Sequence, residues 1–286
     1  MIGFIGLGVM GEPICRHVAS KSGEPVLGYD LSKEPFLRLQ PAGVQSAQSV
    51  REVAEKCGTV FLSLPGGNEV KDVAVGRASL LIHMKPAGYI IDLSTIPVQL
   101  TRDLEARFSA RGINFVDAPV ARTRHAAEKG ELSVMVGCKQ QHFAKLKSLL
   151  SHFATEVTRC GPPGAGQAMK LINNLVLFQN VAAIAEALAL IRKLGLNPAA
   201  ALETLSKGSA DSFALRNHGM KAMLMNQYPE KAFPVEYALK DLDYAIELAK
   251  IAKIDLKGAA QVRALFEKAI AGGHTKEYFP VIAKLI

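Results

Sequence analysis

The chain has 286 residues, 49% of them hydrophobic and 21% charged, a balance that belongs to folded globular proteins and excludes a disordered chain. Its net charge of +8 is evenly spread, with 19 Lys and Arg against 15 Asp and Glu up to residue 160 and 15 against 11 beyond it. With no basic run or aromatic-basic interleaving, that charge suits small anionic ligands and argues against nucleic acid. Four scattered cysteines, Cys15, Cys57, Cys138 and Cys160, form no C-x-x-C pair. They read as reduced cytoplasmic thiols rather than disulfides, and no metal site is expected. The first apolar run starts at residue 2, so no secretory signal is expected before it. Leu175 to Ile191 is the longest apolar stretch, but Gln179, Asn180 and Glu186 interrupt it, and it reads as a buried helix rather than a membrane span.

Met1 to Ile5 reads as a buried strand, and it runs into Gly6-Leu7-Gly8-Val9-Met10-Gly11, a G-x-G-x-x-G without mismatch. Pro13 and the following ICRHVA open a helix, and a second apolar run, Val26 to Tyr29, ends in Asp30. Each part has a task in a dinucleotide site. Gly6 permits the tight turn, Gly8 admits a pyrophosphate to the backbone, and Gly11 lets helix and strand pack closely. The helix N-terminus offers free N–H groups and partial positive charge. The Asp30 carboxylate can accept from ribose hydroxyls and repels a 2′-phosphate. With no arginine in Leu31-Ser32-Lys33, NAD is expected over NADP, although Lys33 leaves NADP possible.

Strand and helix patterns then alternate. Helices are expected over 46–57, 68–75, from Pro97 to about Arg111, and over 141–152. Strands are expected at Thr59–Ser63, Gly88–Leu93, Ile113–Val116, Leu132–Val136 and Thr155–Thr158. This alternation predicts a Rossmann-type, doubly wound, mainly parallel sheet covered on both faces. Ligands of such sheets bind beyond the strands' carboxyl ends, which brings Leu64-Pro65, Ser94-Thr95 and the segment after Val120 to one crevice.

The pattern changes at Gly161-Pro162-Pro163-Gly164-Ala165-Gly166. Residues 167–194 form one long helical pattern, apolar nearly all round, expected to be buried between neighbours. Further helices are expected near 198–207, 212–225, 235–253, 257–272 and after Pro280, with Gly195, Gly208 and Gly258 at breaks. The fold class is therefore α/β: an NAD-binding domain over 1–161, then an all-α substrate and dimerisation domain over 162–286, joined by the long helix. That helix invites a partner subunit, and a homodimer or homotetramer is expected.

Lys170, Asn173 and Asn174 share one face of the long helix, at i, i+3 and i+4. A lysine beside a nicotinamide crevice can protonate a nascent alkoxide or polarise a carbonyl, and an asparagine there can hold the substrate. Spacing alone equally allows a lysine that reaches to water beside turn-capping asparagines.

These segments resemble the β-hydroxyacid dehydrogenases along essentially the whole chain. GFIGLGVMGEP looks like that family's cofactor motif, DAPV at 117–120 like the start of its substrate motif, and GAGQAMKLINN at 164–174 like the segment carrying its catalytic lysine, here Lys170. KDLDYA at 240–245 resembles the last motif, whose lysine, here Lys240, reaches the cofactor. The resemblance further implies that Val9, Met10, Leu64, Pro65 and Thr95 line the dinucleotide. Many members continue DAPV with Ser-Gly-Gly, whereas this chain has Ala121-Arg122-Thr123-Arg124, similar to the arginine and threonine with which sulfolactaldehyde reductases meet a sulfonate. Arg122 and Thr123 are thus expected, with Asn173 and Asn174, to hold the acid group of a small anionic hydroxy acid or semialdehyde, while Arg124 faces solvent. The alternative is that Arg122 pairs with Glu128 or Glu131 and only shapes the loop.

The implied activity is NAD-dependent interconversion of a small 3-hydroxy acid, or its sulfonate analogue, with the semialdehyde. Lys170 argues against the imine reductases of the same architecture, and the helical part is short for a 6-phosphogluconate dehydrogenase. An NADP(H)-preferring semialdehyde or glyoxylate-type reductase, or a non-catalytic dinucleotide-binding scaffold, remains as an alternative.

Overall fold

In a computed structural model, residues 1–230 and 232–286 are described. They fall into two units, Met1–Lys170 and Leu171–Ile286, divided one turn and more inside the long helix rather than at the glycine-rich segment before it.

The first unit is built on nine strands: β1 (Ile2–Ile5), β2 (Val26–Tyr29), β3 (Gln45–Ser46), β4 (Thr59–Leu62), β5 (Tyr89–Asp92), β6 (Asn114–Asp117), β7 (Val120–Ala121), β8 (Leu132–Gly137) and β9 (Ala154–Gly161). β3-β2-β1-β4-β5-β6 pair in that order and all in parallel, the doubly wound arrangement expected of a dinucleotide fold. Alternation along each strand sends side chains to two cores. Phe4, Phe61, Ile91 and Val116 enter one; Ile5, Leu62, Ile90 and Phe115 enter the other. Helices α1 (Gly11–Lys21), α2 (Glu34–Leu39), α3 (Val50–Lys56), α4 (Gly67–Val75), α5 (Leu80–His83), α6 (Val98–Ser109), α7 (Arg124–Lys129) and α8 (Gln140–Leu150) connect the strands. α3 shows why a helix starts where it does: Ser49 accepts from the Glu52 amide, and Glu52 accepts in return from the Gln48 amide.

The sheet departs from the expected pattern beyond β6. Asp117 faces Gly137, Val120 faces Val134 and Ala121 faces Ser133, so β6 and β7 run antiparallel to β8 in one continuous register. β9 then pairs with β8 in parallel.

α9 (Ala165–Lys193) runs from the first unit into the second. It is long and apolar enough to cross a membrane by length and composition, yet Leu171, Phe178, Val181 and Leu188 are buried among protein. The all-round burial expected for it is not observed. Met169, Ile172, Val176 and Leu190 form an exposed stripe at helical spacing. The second unit adds α10 (Pro198–Leu205), α11 (Val235–Ile251) and α12 (Lys257–Ala271). Asn197 caps α10 by accepting from the Ala200 amide, with Pro198 at the first helical position. Gly258 lies inside α12 rather than at a break; a side chain there would collide with Gln179 of α9. The helix expected over 212–225 is wound as a π-helix at Leu215–Met223. Its His218 lies against the rings of Phe213, Tyr278 and Phe279.

Candidate active site

The dinucleotide loop is built by local constraint. Gly6 stands at φ +92°, and its amide donates to the Tyr29 carbonyl, which folds the chain back over the end of β2. A side chain at Gly11 would collide with the Gly6 carbonyl, so α1 can start this close to the loop only with glycine there. Nothing lies within 4 Å of where a Gly8 side chain would be. The space above Gly8 is thus open to a pyrophosphate. Val9 is 45% exposed at the same turn and Met10 half-buried. Among the described residues, the amides of Val9 and Met10 have no hydrogen-bond acceptor at the start of α1. An open backbone cradle, unanswered amides and a helix N-terminus together fit a dinucleotide diphosphate.

Asp30 is bound more tightly than its sequence position suggests. Its Oδ2 accepts from the Leu7 amide at 2.6 Å and its Oδ1 from the Ser32 amide at 2.8 Å. The carboxylate therefore braces the glycine loop itself, and the remaining lone pairs are left for ribose hydroxyls.

Leu64 and Pro65 follow β4, and Ser94 and Thr95 follow β5. The Leu64 amide donates to Ser94 Oγ at 2.9 Å, and the Ser94 amide donates to Asp92 Oδ1 at 3.0 Å. The first turn of α9 is tied to the same strand ends. Asp117, fully buried, accepts from the Gly164 amide through Oδ1 and from the Gln167 amide through Oδ2, at 2.8 and 2.9 Å. Burial raises its carboxyl to about 6 although these amide bonds pull it down. Lys170 follows Gln167 by three residues and is half-buried.

Arg122 and Thr123 begin the loop after β7. Arg122 has φ +84°, a left-handed conformation that favours glycine. Both Nη1 protons are engaged, one by the Glu131 carbonyl and one by Thr155 Oγ1 at 2.8 Å. No carboxylate pairs with it among the described residues; Glu128 pairs with Arg124 at 3.0 Å instead. The Nε–Nη2 edge of Arg122, with its two parallel N–H groups, has no protein acceptor among the described residues. Thr123 caps α7, its Oγ1 accepting from the Ala126 amide.

In the second unit Asn174 is 1% exposed and already bonded. Its Nδ2 donates to Asp241 Oδ2 at 2.8 Å, and its Oδ1 accepts from Asn173 Nδ2 at 3.0 Å. Lys240 Nζ lies 3.1 Å from Asp241 Oδ1 and near the faces of Tyr237 and Tyr244. Gln167 and Asp241 were not singled out from the sequence, and Ser94 was placed at the crevice only as the neighbour of Thr95. Gln167 and Asp241 sit inside the quoted GAGQAMK and KDLDYA segments, so their position beside Lys170 and Lys240 was the available signal.

A family model for the NAD binding domain of 6-phosphogluconate dehydrogenase matches residues 1–161. One described as the NAD-binding of NADP-dependent 3-hydroxyisobutyrate dehydrogenase matches 164–286. The chain belongs to the β-hydroxyacid dehydrogenase family. It is 33% identical over 284 residues to 2-(hydroxymethyl)glutarate dehydrogenase of Eubacterium barkeri, covering 99% of this chain and 94% of that one. Identity is also 33% over 270 residues to 3-hydroxyisobutyrate dehydrogenase of Pseudomonas aeruginosa, covering 93% and 90%. The structure of Mycobacterium tuberculosis 3-hydroxyisobutyrate dehydrogenase with L-serine superposes with a TM-score of 0.89 at 26% identity, covering 99% and 98%. This β-hydroxyacid dehydrogenase is thus an NAD(P)-dependent enzyme of small hydroxy acids.

Proposed function

We propose that this dehydrogenase prefers NAD and interconverts a small 3-hydroxy acid, carboxylate or sulfonate, with its semialdehyde, using Lys170 as general acid and base. The observation that carries this reading is Lys170's place: one turn beyond a residue bonded into the loop that presents Thr95, on a helix start locked to the strand ends by Asp117. A bound nicotinamide dinucleotide supplies the hydride acceptor or donor. Gly6, Gly8, Gly11, Val9 and Met10 hold its diphosphate side, Asp30 its adenosine ribose, and Leu64, Pro65 and Thr95 its remaining length. Asp30 supports NAD because a carboxylate pinned by two amides cannot swing away from a 2′-phosphate.

In oxidation, Lys170 Nζ takes the proton of the substrate hydroxyl while the carbinol hydrogen leaves with its electron pair. In reduction, the ammonium returns that proton to the oxygen, which prevents a free alkoxide. The acid group falls to the Nε–Nη2 edge of Arg122, a geometry matched to a carboxylate or sulfonate, with Thr123 as a further polar contact. The exposed Met169, Ile172, Val176 and Leu190 stripe supports assembly of copies through α9, as a homodimer or homotetramer.

The test is reduction of the semialdehydes of 3-hydroxyisobutyrate and 2-(hydroxymethyl)glutarate, and of sulfolactaldehyde, with NADH and NADPH. Lys170→Ala is expected to slow turnover by roughly a hundredfold to ten-thousandfold, with cofactor affinity little changed. Near-normal turnover would remove Lys170 from the chemistry.

A further inference from the structure

Gln167 is the residue at which several loops of the first unit meet. Its side-chain Nε2 donates to the Ser94 carbonyl at 2.7 Å, and its Oε1 accepts from the Ile96 amide at 3.3 Å. The amide group thus brackets Thr95 from both sides, as a neighbouring strand would. Its backbone amide is held by Asp117, from β6. Ser94 in turn receives the Leu64 amide. Gln167, Asp117 and Ile96 are fully buried and Ser94 nearly so.

The joint has no slack. A side chain at Gly166 would collide with the Met135 carbonyl, and one at Gly137 would collide with the Asp117 carboxylate. The first turn of α9 therefore packs backbone to backbone on β8. An ordinary helix cap needs only the Asp117 bonds. A side-chain amide that also holds both neighbours of Thr95 does something a cap does not require.

We infer that Gln167 is a positioning residue for hydride transfer, fixing the Thr95 loop and the helix turn that carries Lys170 in one frame. This rests on the reading of Lys170 as general acid. Misplacing a reacting group by about 1 Å costs on the order of a hundredfold in rate. Loss of the bracket should therefore appear in the chemical step before it appears in cofactor affinity, which the glycine loop and Asp30 largely carry.

Gln167→Met and Gln167→Glu test this, with the semialdehyde that the wild type reduces fastest among those named above. Gln167→Met removes donor and acceptor at similar length. Its kcat is expected to fall roughly tenfold to a hundredfold, with a larger deuterium isotope effect from 4-deuterated NADH and little change in NADH affinity. Gln167→Glu puts a carboxyl against the Ser94 carbonyl and is expected to be equally slow at a pH high enough to ionise it in this buried place. On acidification the protonated carboxyl can again donate to Ser94 and accept from Ile96, so its kcat should recover relative to wild type. The charged groups around it are Asp117 on β6, Asp92 on β5, Arg102 on α6 against Gly164, and Lys170 on α9. The same groups surround residue 167 in the wild type, so the difference between the two profiles is the readout. Because recovery occurs within one folded protein, the result does not depend on Gln167→Met folding. Wild-type kcat and isotope effect per folded molecule in both variants, with only a lower Tm, would overturn the inference while a slow Lys170→Ala left the general acid in place. Unimpaired Lys170→Ala would overturn the reading beneath it.

Discussion

The two units hold their buried and half-buried polar groups by different means. In the first, Asp30 follows β2 while Asp92 and Asp117 end β5 and β6, and each accepts from backbone amides: Leu7 and Ser32, Ser94, and Gly164 and Gln167. In the second, Asn174, Asp241 and Lys240 answer one another through side chains, and His218 is bonded through Nδ1 to the Tyr278 hydroxyl, with no partner at Nε2 among the described residues. A carboxylate held by amides dictates the path of the chain around it. A polar group held by side chains leaves the backbone to helix packing. The first arrangement should make substitutions act on shape, the second on charge and chemistry.

The largest expected effect is at Asp117. Asp117→Ala leaves the amides of Gly164 and Gln167 buried without acceptors, each costing about 1–3 kcal/mol, and frees the start of α9. Urea unfolding should show a loss of several kcal/mol, on the order of that sum. Asp241→Asn, which keeps size but removes the charge and one acceptor, is expected to leave the helical core of Phe178, Phe266 and Phe279 standing. Equal losses in the two variants would erase the contrast.

Mild acid should separate the units next. Burial lowers the His218 imidazole to about 4, so below its ordinary value of about 6.5 the unfolded chain binds a proton that the folded chain refuses. Its contribution is lost as pH falls from 6.5 toward 4, about 3 kcal/mol in all. Asp117 works the other way. With its carboxyl raised to about 6 from 3.8, the folded state holds the extra proton between those values, so stability is gained as pH falls through that window. Hydrogen exchange at pH 7 and pH 5 should show the helices near His218 losing protection while the strand ends around Asp117 do not. His218→Leu should flatten the first effect; an unchanged acid response would mean that His218 is not its source.

The sequence made the first unit legible because its signals are local. Short continuous apolar runs gave β1, β4 and β5, and the glycine loop with Asp30 lies within thirty residues. The short α2, α5 and α7 went unread because four to six residues complete no more than two helical turns. β8 was expected in a parallel series, but Pro119 and the loop with α7 turn the chain back on β6 without a tight hairpin signal. The long helix was read as buried all round because composition cannot separate a core-facing stripe from one left open. Asp117–Gln167 joins positions fifty residues apart, and His218 depends on a π-turn and Tyr278. Pairings over such distances leave no periodic trace. Arg122 was legible as a departure from the family pattern, but its bonds to Glu131 and Thr155 were not.

Asp30 bears on the backbone-held side of the contrast at smaller scale. Asp30→Ala removes both the ribose acceptor and the brace on Leu7, so NAD should weaken by roughly tenfold or more, as for loss of a charged hydrogen-bond partner. Asp30→Asn keeps an acceptor for the Leu7 amide but loses the charge and the acceptor for the Ser32 amide. It should narrow the gap between NAD and NADP with a smaller loss of NAD affinity. Paired fluorescence titrations of the two cofactors decide this, and an unaltered preference in both variants would place Asp30 outside cofactor selection.

Arg122 combines both modes, and its effect is the most diagnostic. Its Nη1 protons brace the loop, while its Nε–Nη2 edge is assigned to the substrate anion. Its backbone at φ +84° carries a cost of roughly 1–2 kcal/mol that glycine would not. Arg122→Ala is expected to raise the Michaelis constant for carboxylate and sulfonate substrates tenfold or more, since charge-assisted bonds contribute about 1.5–3 kcal/mol each. Arg122→Lys should recover part, because an ammonium keeps the charge without the two-point geometry. Arg122→Gly separates the modes: it relieves the left-handed backbone yet removes the guanidinium. If the edge binds the anion, the glycine variant should be the more stable of the two truncations while losing acid substrates as badly as alanine does. An uncharged aldehyde of similar size should be little affected in either. Recovery of acid binding in Arg122→Gly, or equal losses for charged and uncharged substrates, would leave Arg122 a brace for the loop and move the anion site elsewhere. A sulfonate preferred to its carboxylate counterpart, lost in both truncations, would instead fix the substrate class.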